Sequence, residues 1–120
     1  MDEDNKRYLP IIIGSDGSSF SITNNGTAAA PCRLTIIPKN DLMLITIGGL
    51  AQEPITVERV QKNQILIIDG IDRAVTIDGQ NAFENFNGWE LPKLQPGVNN
   101  ISISNADLMT ISIEYQLRYI

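Results

Sequence analysis

The chain has 120 residues, 42% of them hydrophobic, which suits one folded domain with a real core and argues against wholesale disorder. Its net charge of −5 is spread thinly and leaves no basic stripe for neutralising phosphates, so nucleic acid is set aside as a partner. With no histidine in the chain, a Ser-His-Asp triad and a histidine-based zinc site are both excluded.

Residues 1–7 are polar and mixed in charge, as in a linker. Tyr8 to Ile13 reads as a first strand, with Pro10 directing it to a sheet edge. Residues 1–13 are therefore assigned to a linker and first edge strand, and 14–120 to a single β-sandwich domain. The run Ile11 to Ile13 is too short for a signal-peptide core. No stretch approaches the roughly 18 apolar residues of a membrane helix. Synthesis in a cytosol and no membrane partner are the expectations. Asn25-Gly26-Thr27 and Asn100-Ile101-Ser102 match the glycosylation sequon and are read as chance.

After the turn cluster from Gly14 to Ser19, hydrophobicity alternates with a period of two. Phe20 and Ile22 share one parity, and Asn25-Gly26 breaks the run. Cys32, Leu34 and Ile36 share the next parity. Met43, Ile45 and Ile47 are expected on one face, and Gly48-Gly49 ends that strand. Ile55 and Val57 follow. Successive side chains of a strand point to opposite faces, so this is the pattern of half-buried strands. Ile65 to Ile68 is a continuous apolar run, expected to be covered on both faces or to lie at an intersheet contact. A short Gly70-containing loop then leads to Val75 and Ile77, a hairpin, with Asp78-Gly79 a second turn.

Residues 80–97 lack alternation but hold Phe83, Phe86, Trp89 and Leu91, too much apolar surface for a flexible loop. Ile101 and Ile103 resume the alternation. Met109, Ile111, Ile113, Tyr115, Leu117 and Tyr119 then lie on one face, with polar residues opposite. Isoleucine dominates throughout and favours pleated strands. The expectation is an all-β, antiparallel two-sheet sandwich, jelly-roll-like, of about eight strands. Ile36, Ile45, Ile67, Ile77, Ile103, Ile111 and Ile113 are expected inside.

Chemistry is sparse. The single cysteine, Cys32, has no base to activate it and reads as a small buried hydrophobe. Asp69, Asp72 and Asp78 do not match a calcium loop and read as turn residues capping their own backbone. Glu84 and Glu90 could pair across a sugar ring, as a glycosidase requires, but any acidic loop offers two glutamates. No catalytic, cofactor-binding or metal-binding residue is assigned. The aromatic connection is the informative feature. Phe83, Phe86 and Trp89 form either a plug closing one end of the sandwich or a platform that stacks on a sugar. The plug is favoured, with Trp89 largely buried as a lid, because a chain with few aromatics spends them in its core. Trp89, Phe83, Phe86 and Glu90 are the candidate contacts for a glycan or a protein partner.

Several motifs resemble one family. Asn25-Gly26-Thr27-Ala28 followed by Pro31 resembles its opening turn. Ile67-Ile68-Asp69, Arg73 and Val75-Thr76-Ile77-Asp78-Gly79 resemble its central hairpin. Leu91 to Ile101 contains a Leu-x-Pro-Gly-x-Asn turn, and Ile113-Glu114-Tyr115 with Arg118-Tyr119 resembles its last strand. Over roughly residues 20–120 the chain is similar to the C-terminal domain of distal tail proteins of siphovirus-type bacteriophages and prophages. The resemblance implies a galectin-like or carbohydrate-module-like sandwich in the tail tip of a virion. It implies contacts with other tail or baseplate proteins in a larger oligomer, and no catalytic residues to carry over. The family's N-terminal ring-forming domain has no counterpart in these 120 residues. A carbohydrate-binding module recognising a cell-surface glycan is the alternative, and an enzyme ranks third. Fold alone does not separate the first two.

Overall fold

The structure, a computed structural model, describes residues 11–13, 19–105 and 108–115. Within them the alternation folds as two antiparallel sheets. The strands are β1 (Ile11–Ile13), β2 (Ser19–Asn24), β3 (Ala30–Pro38), β4 (Leu42–Gly48), β5 (Ile55–Val60) and β6 (Leu66–Asp69). They continue with β7 (Ala74–Ile77), β8 (Gln80–Asn81), β9 (Phe86–Asn87), β10 (Lys93–Leu94), β11 (Gly97–Ile103) and β12 (Met109–Tyr115). One sheet runs β1-β12-β3-β6-β7-β8, with β10 also pairing β3; the other runs β2-β11-β4-β5-β9. Setting aside the short β1, β8, β9 and β10, eight of the twelve described strands are four residues or longer. Residues 8–10 and 14–18 of the expected first strand and turn, and Leu117 and Tyr119 of the last strand, lie outside the described residues.

The core lies between the sheets and is built from one parity of most strands. Ala30, Cys32, Leu34 and Ile36 of β3 are buried, as are Ile101 and Ile103 of β11 and Met109, Ile111, Ile113 and Tyr115 of β12. Ile36, Ile45, Ile103, Ile111 and Ile113 are inside as expected. Ile67 is not: it is half-buried on the outer face. Register explains the difference. Leu66 pairs Ile36 and Ile68 pairs Leu34, so Leu66 and Ile68 face inward, whereas Ile67 pairs the outward Thr35. The run Ile65 to Ile68 is thus covered on one face only, and Ile65 is exposed. Ile77 faces inward opposite Leu66 but lies toward the sheet margin and is half-buried.

A second correction falls in β4. Met43 is 78% exposed, while Leu42, Ile45 and Ile47 are buried. The alternation slips by one step between Leu42 and Ile45, and opposite them between Val57 and Val60. Arg59, facing this slip, has φ +58, outside the extended range, and there the two strands leave regular pleating together.

The non-alternating stretch turns out to stitch the sheets together. β9 pairs β5 in one sheet and β10 pairs β3 in the other, and Lys93 N donates to Leu50 O at 2.8 Å. Two buried asparagines hold the corner where the chain passes from β10 to β11. Asn24 Nδ2 donates to Leu94 O and to Ala28 O, each at 3.1 Å, and its Oδ1 accepts from Gly26 N at 2.9 Å. Asn99 Oδ1 accepts from Gln95 N, and its Nδ2 donates to the carbonyls of Gln95, Gly97 and Ile22. Between them Gly97 has φ +93, the conformation the Pro96-Gly97 sequence predicts. Gly97→Val is therefore expected to destabilise by about 1–3 kcal/mol through backbone strain alone, because a Cβ there meets nothing within 4 Å. An unchanged denaturant midpoint would contradict that conformation.

Candidate functional site

The sequence concentrates its large aromatics in the connection between β8 and β10, and the structure shows where they go. Phe83 opens a one-turn 3₁₀ helix, Phe83–Asn85, and Phe86 follows in β9. Their rings meet edge to face, with centroids 6.1 Å apart. Phe86 packs against the core, as does Leu91. Trp89 does not: it is 85% exposed. The expectation of a buried tryptophan lid is overturned. Phe86 and Leu91 already cover this end of the core, and a side chain at position 88 would run into the Phe86 ring and Ile55. The indole between them is left in water, together with a Phe83 that is 44% exposed.

Trp89, Phe83 and Phe86 line an open groove of about 790 Å³. The β6–β7 loop, with Ile71 and Arg73, and Pro31 of β3 also line it. Three ionisable side chains also line it: Arg73, Glu90 and Lys93. Glu90 is tied into the scaffold. Its Oε1 accepts from Gln52 N at 2.9 Å, and its Oε2 lies 3.4 Å from Lys93 Nζ. The Gln52 N–H, followed by the Lys93 charge, holds the Glu90 carboxyl below its usual range. A carboxylate kept ionised in this way is poorly suited to act as a general acid. Glu84 stands exposed on the 3₁₀ turn.

The β6–β7 loop that carries Arg73 is locked from below. Asp69 Oδ1 accepts from the backbone N–H groups of Ile71 and Asp72, each at 2.9 Å. Its Oδ2 accepts from Arg33 Nε at 2.9 Å, and Arg33 also pairs Asp72 at 3.2 Å and Glu114 at 3.6 Å. Asp78 Oδ1 accepts from Ile65 N at 2.8 Å. Asp69 thus caps its own turn, as its position predicts, whereas Asp78 bonds backbone across the hairpin and, among the described residues, Asp72 pairs only Arg33. Among the described residues, no group of three or more His, Cys, Asp or Glu is arranged to hold a metal ion. Cys32 is fully buried, and its thiol is pushed up to about 12 by burial, with the charge of Asp69 adding to the effect. At neutral pH it is a protonated core side chain.

The sequence named Trp89, Phe83, Phe86 and Glu90, and the structure brings all four to one groove. It did not single out Arg73 or Lys93 as part of the site. Their only sequence signal was proximity to turns, and the groove forms only when the β6–β7 loop folds against the aromatic connection.

Comparisons with known proteins bear on what this arrangement is. No curated protein sequence matches the chain. Among solved structures, the Dit (gp 19.1) protein of phage SPP1 superposes with a TM-score of 0.67 at 9% identity, covering 91% of this chain and 46% of that one. The chain thus spans about half the length of that relative. The Caenorhabditis elegans galectin LEC-6 superposes with a TM-score of 0.48 at 12% identity, covering 89% of this chain and 95% of that one. Residues 25–119 match the family described as siphovirus-type tail component, C-terminal domain. With nearly the whole sandwich inside that match, the chain belongs to the siphovirus-type tail component family, as its C-terminal domain.

Proposed function

We propose that this domain is a non-catalytic structural and interaction module of a phage or prophage tail tip, carried in the virion and bound to other tail or baseplate proteins within a larger oligomer. The observation that carries this reading is the family match over residues 25–119. The shared fold with the SPP1 protein, described as a paradigm of the hub adsorption apparatus in phages infecting Gram-positive bacteria, supports it. A non-catalytic role is supported by the chemistry: the chain has no histidine, its one thiol is buried and protonated, and Glu90 is bonded to Gln52 and Lys93. Immunogold labelling of the particles should place the chain at the end of the tail distal to the head. Particles that carry no label there would overturn the assignment.

One observation favours a second role, that of a carbohydrate-binding module. The only tryptophan is 85% exposed over a groove, a surface on which a sugar ring can stack as readily as a protein partner can pack. Because the indole is largely in water, Trp89→Ala is expected to change stability by less than about 0.5 kcal/mol, as surface substitutions usually do. A denaturant melt checks this. A loss of several kcal/mol would show that the indole is packed against the protein.

A further inference from the structure

We infer that the Trp89 groove takes an acidic saccharide, a pyranose ring bearing a carboxylate, with the ring face stacked on Trp89 and the carboxylate paired with Arg73; this rests on the carbohydrate-binding role above. Charge selects this occupant. Of the three ionisable side chains lining the groove, Glu90 and Lys93 neutralise one another. Arg73 enters no ion pair among the described residues, whereas Arg33 pairs three acids and Arg59 pairs Glu58. The side chains lining the groove therefore sum to one positive charge, on a chain whose net charge is −5. Arg73 also has φ +60, which few residues other than glycine, asparagine and aspartate adopt readily, so the loop spends strain at this position.

A ring-borne carboxylate answers these features together. It brings one negative charge in the plane of the ring, where a guanidinium can bind it through two hydrogen bonds, and leaves the apolar ring face free to stack. The volume of about 790 Å³ lies within the range of small-ligand sites and accommodates a short oligosaccharide.

Trp89 is the only tryptophan, so its emission reports on the groove without a label. Tetragalacturonate and its fully methyl-esterified counterpart, the same sugars without the charges, would each be titrated into the chain at low salt. Tetragalacturonate should shift the emission saturably and bind at least about tenfold more tightly than the ester, the effect of one charge-assisted hydrogen bond. Arg73→Gln should bring the acid down to the level of the ester without moving the melting temperature, and added salt should weaken binding of the acid alone. Equal binding of acid and ester, lost by calorimetry in Trp89→Ala, would overturn the acidic saccharide and leave the carbohydrate role standing. A response to polyglycerol phosphate but not to tetragalacturonate would overturn the carboxylate. No response to any of these, nor to neutral oligosaccharides, would overturn both the inference and the role it rests on.

Discussion

Gly49→Ala is expected to destabilise the domain by about 2–6 kcal/mol, combining left-handed backbone strain with overpacking. Gly49 follows β4 with φ +94, and a Cβ built on it overlaps the carbonyl oxygen of Asn100 in the neighbouring β11. The Cα of the next residue, Ile101, would lie only 3.1 Å from that Cβ, so the obstacle is strand backbone and not a movable side chain. Relief would require β4 and β11 to separate where Gly48 pairs Ser102 and Ile47 pairs Ile103. Small domains have a total stability of roughly 5–15 kcal/mol, so this one methyl group could remove much of it. Gly97→Ala is the control. It carries similar strain at φ +93 with no clash, and should cost only about 1–3 kcal/mol. Urea melts of the two variants compare clash with strain directly. Equal midpoints would mean that β11 does not lie against Gly49 as described.

The second large effect is expected at the asparagine corner. Asn24 and Asn99 are both buried, and their amides bond to backbone groups of the turns and strands around them. Replacing either by alanine should cost about 1–3 kcal/mol through unsatisfied buried polar groups. Asn24 reaches from β2 to Leu94 of β10, across the two sheets, while Asn99 braces the Gln95–Gly97 turn immediately after β10. Because both hold the same short segment, the double variant should cost less than the sum of the singles. A double-mutant cycle with a coupling of about 0.5 kcal/mol or more would show this. Strict additivity would mean that the two amides hold independent pieces of chain. Asn24→Asp distinguishes hydrogen bonding from packing, since it keeps the shape but turns two donated bonds into repulsion between oxygens.

Much of the architecture was legible because period-two alternation is a local property that survives folding. β3, β11 and β12 needed only their own sequences to be oriented correctly. Errors arose where a face is set by a neighbour. Ile67 and Ile68 look alike in the chain, and only pairing with Leu34 and Ile36 decides which of them is inside. Met43 follows the parity of Ile45 on paper, but the slip opposite Arg59 puts it outside. Trp89 was misplaced for a related reason. Hydrophobicity alone ranks the indole with the core, but the space under it is filled by Phe86 and Leu91, which a sequence cannot weigh. The candidate residues were found through their unusual clustering of aromatics in a chain otherwise poor in them. Arg73 was missed as a groove residue, because an arginine in a hairpin loop is unremarkable until the loop is seen to face an exposed tryptophan.

The order of strands also sets a timetable for synthesis. β11 lies between β2 and β4, and β12 lies between β1 and β3, so the last two long strands are interior members of different sheets. A nascent chain halted after β10 would have β2 and β4 with no strand between them and β3 with one side bare. The β2-β11-β4-β5-β9 sheet is completed only when residues through Ile103 have cleared the ribosome, and the other only when residues through Tyr115 have, so folding comes late and is slow, as for other sandwiches dominated by distant pairings. Until that moment the isoleucine-rich strands are exposed, and nascent copies made side by side would be prone to pair with one another.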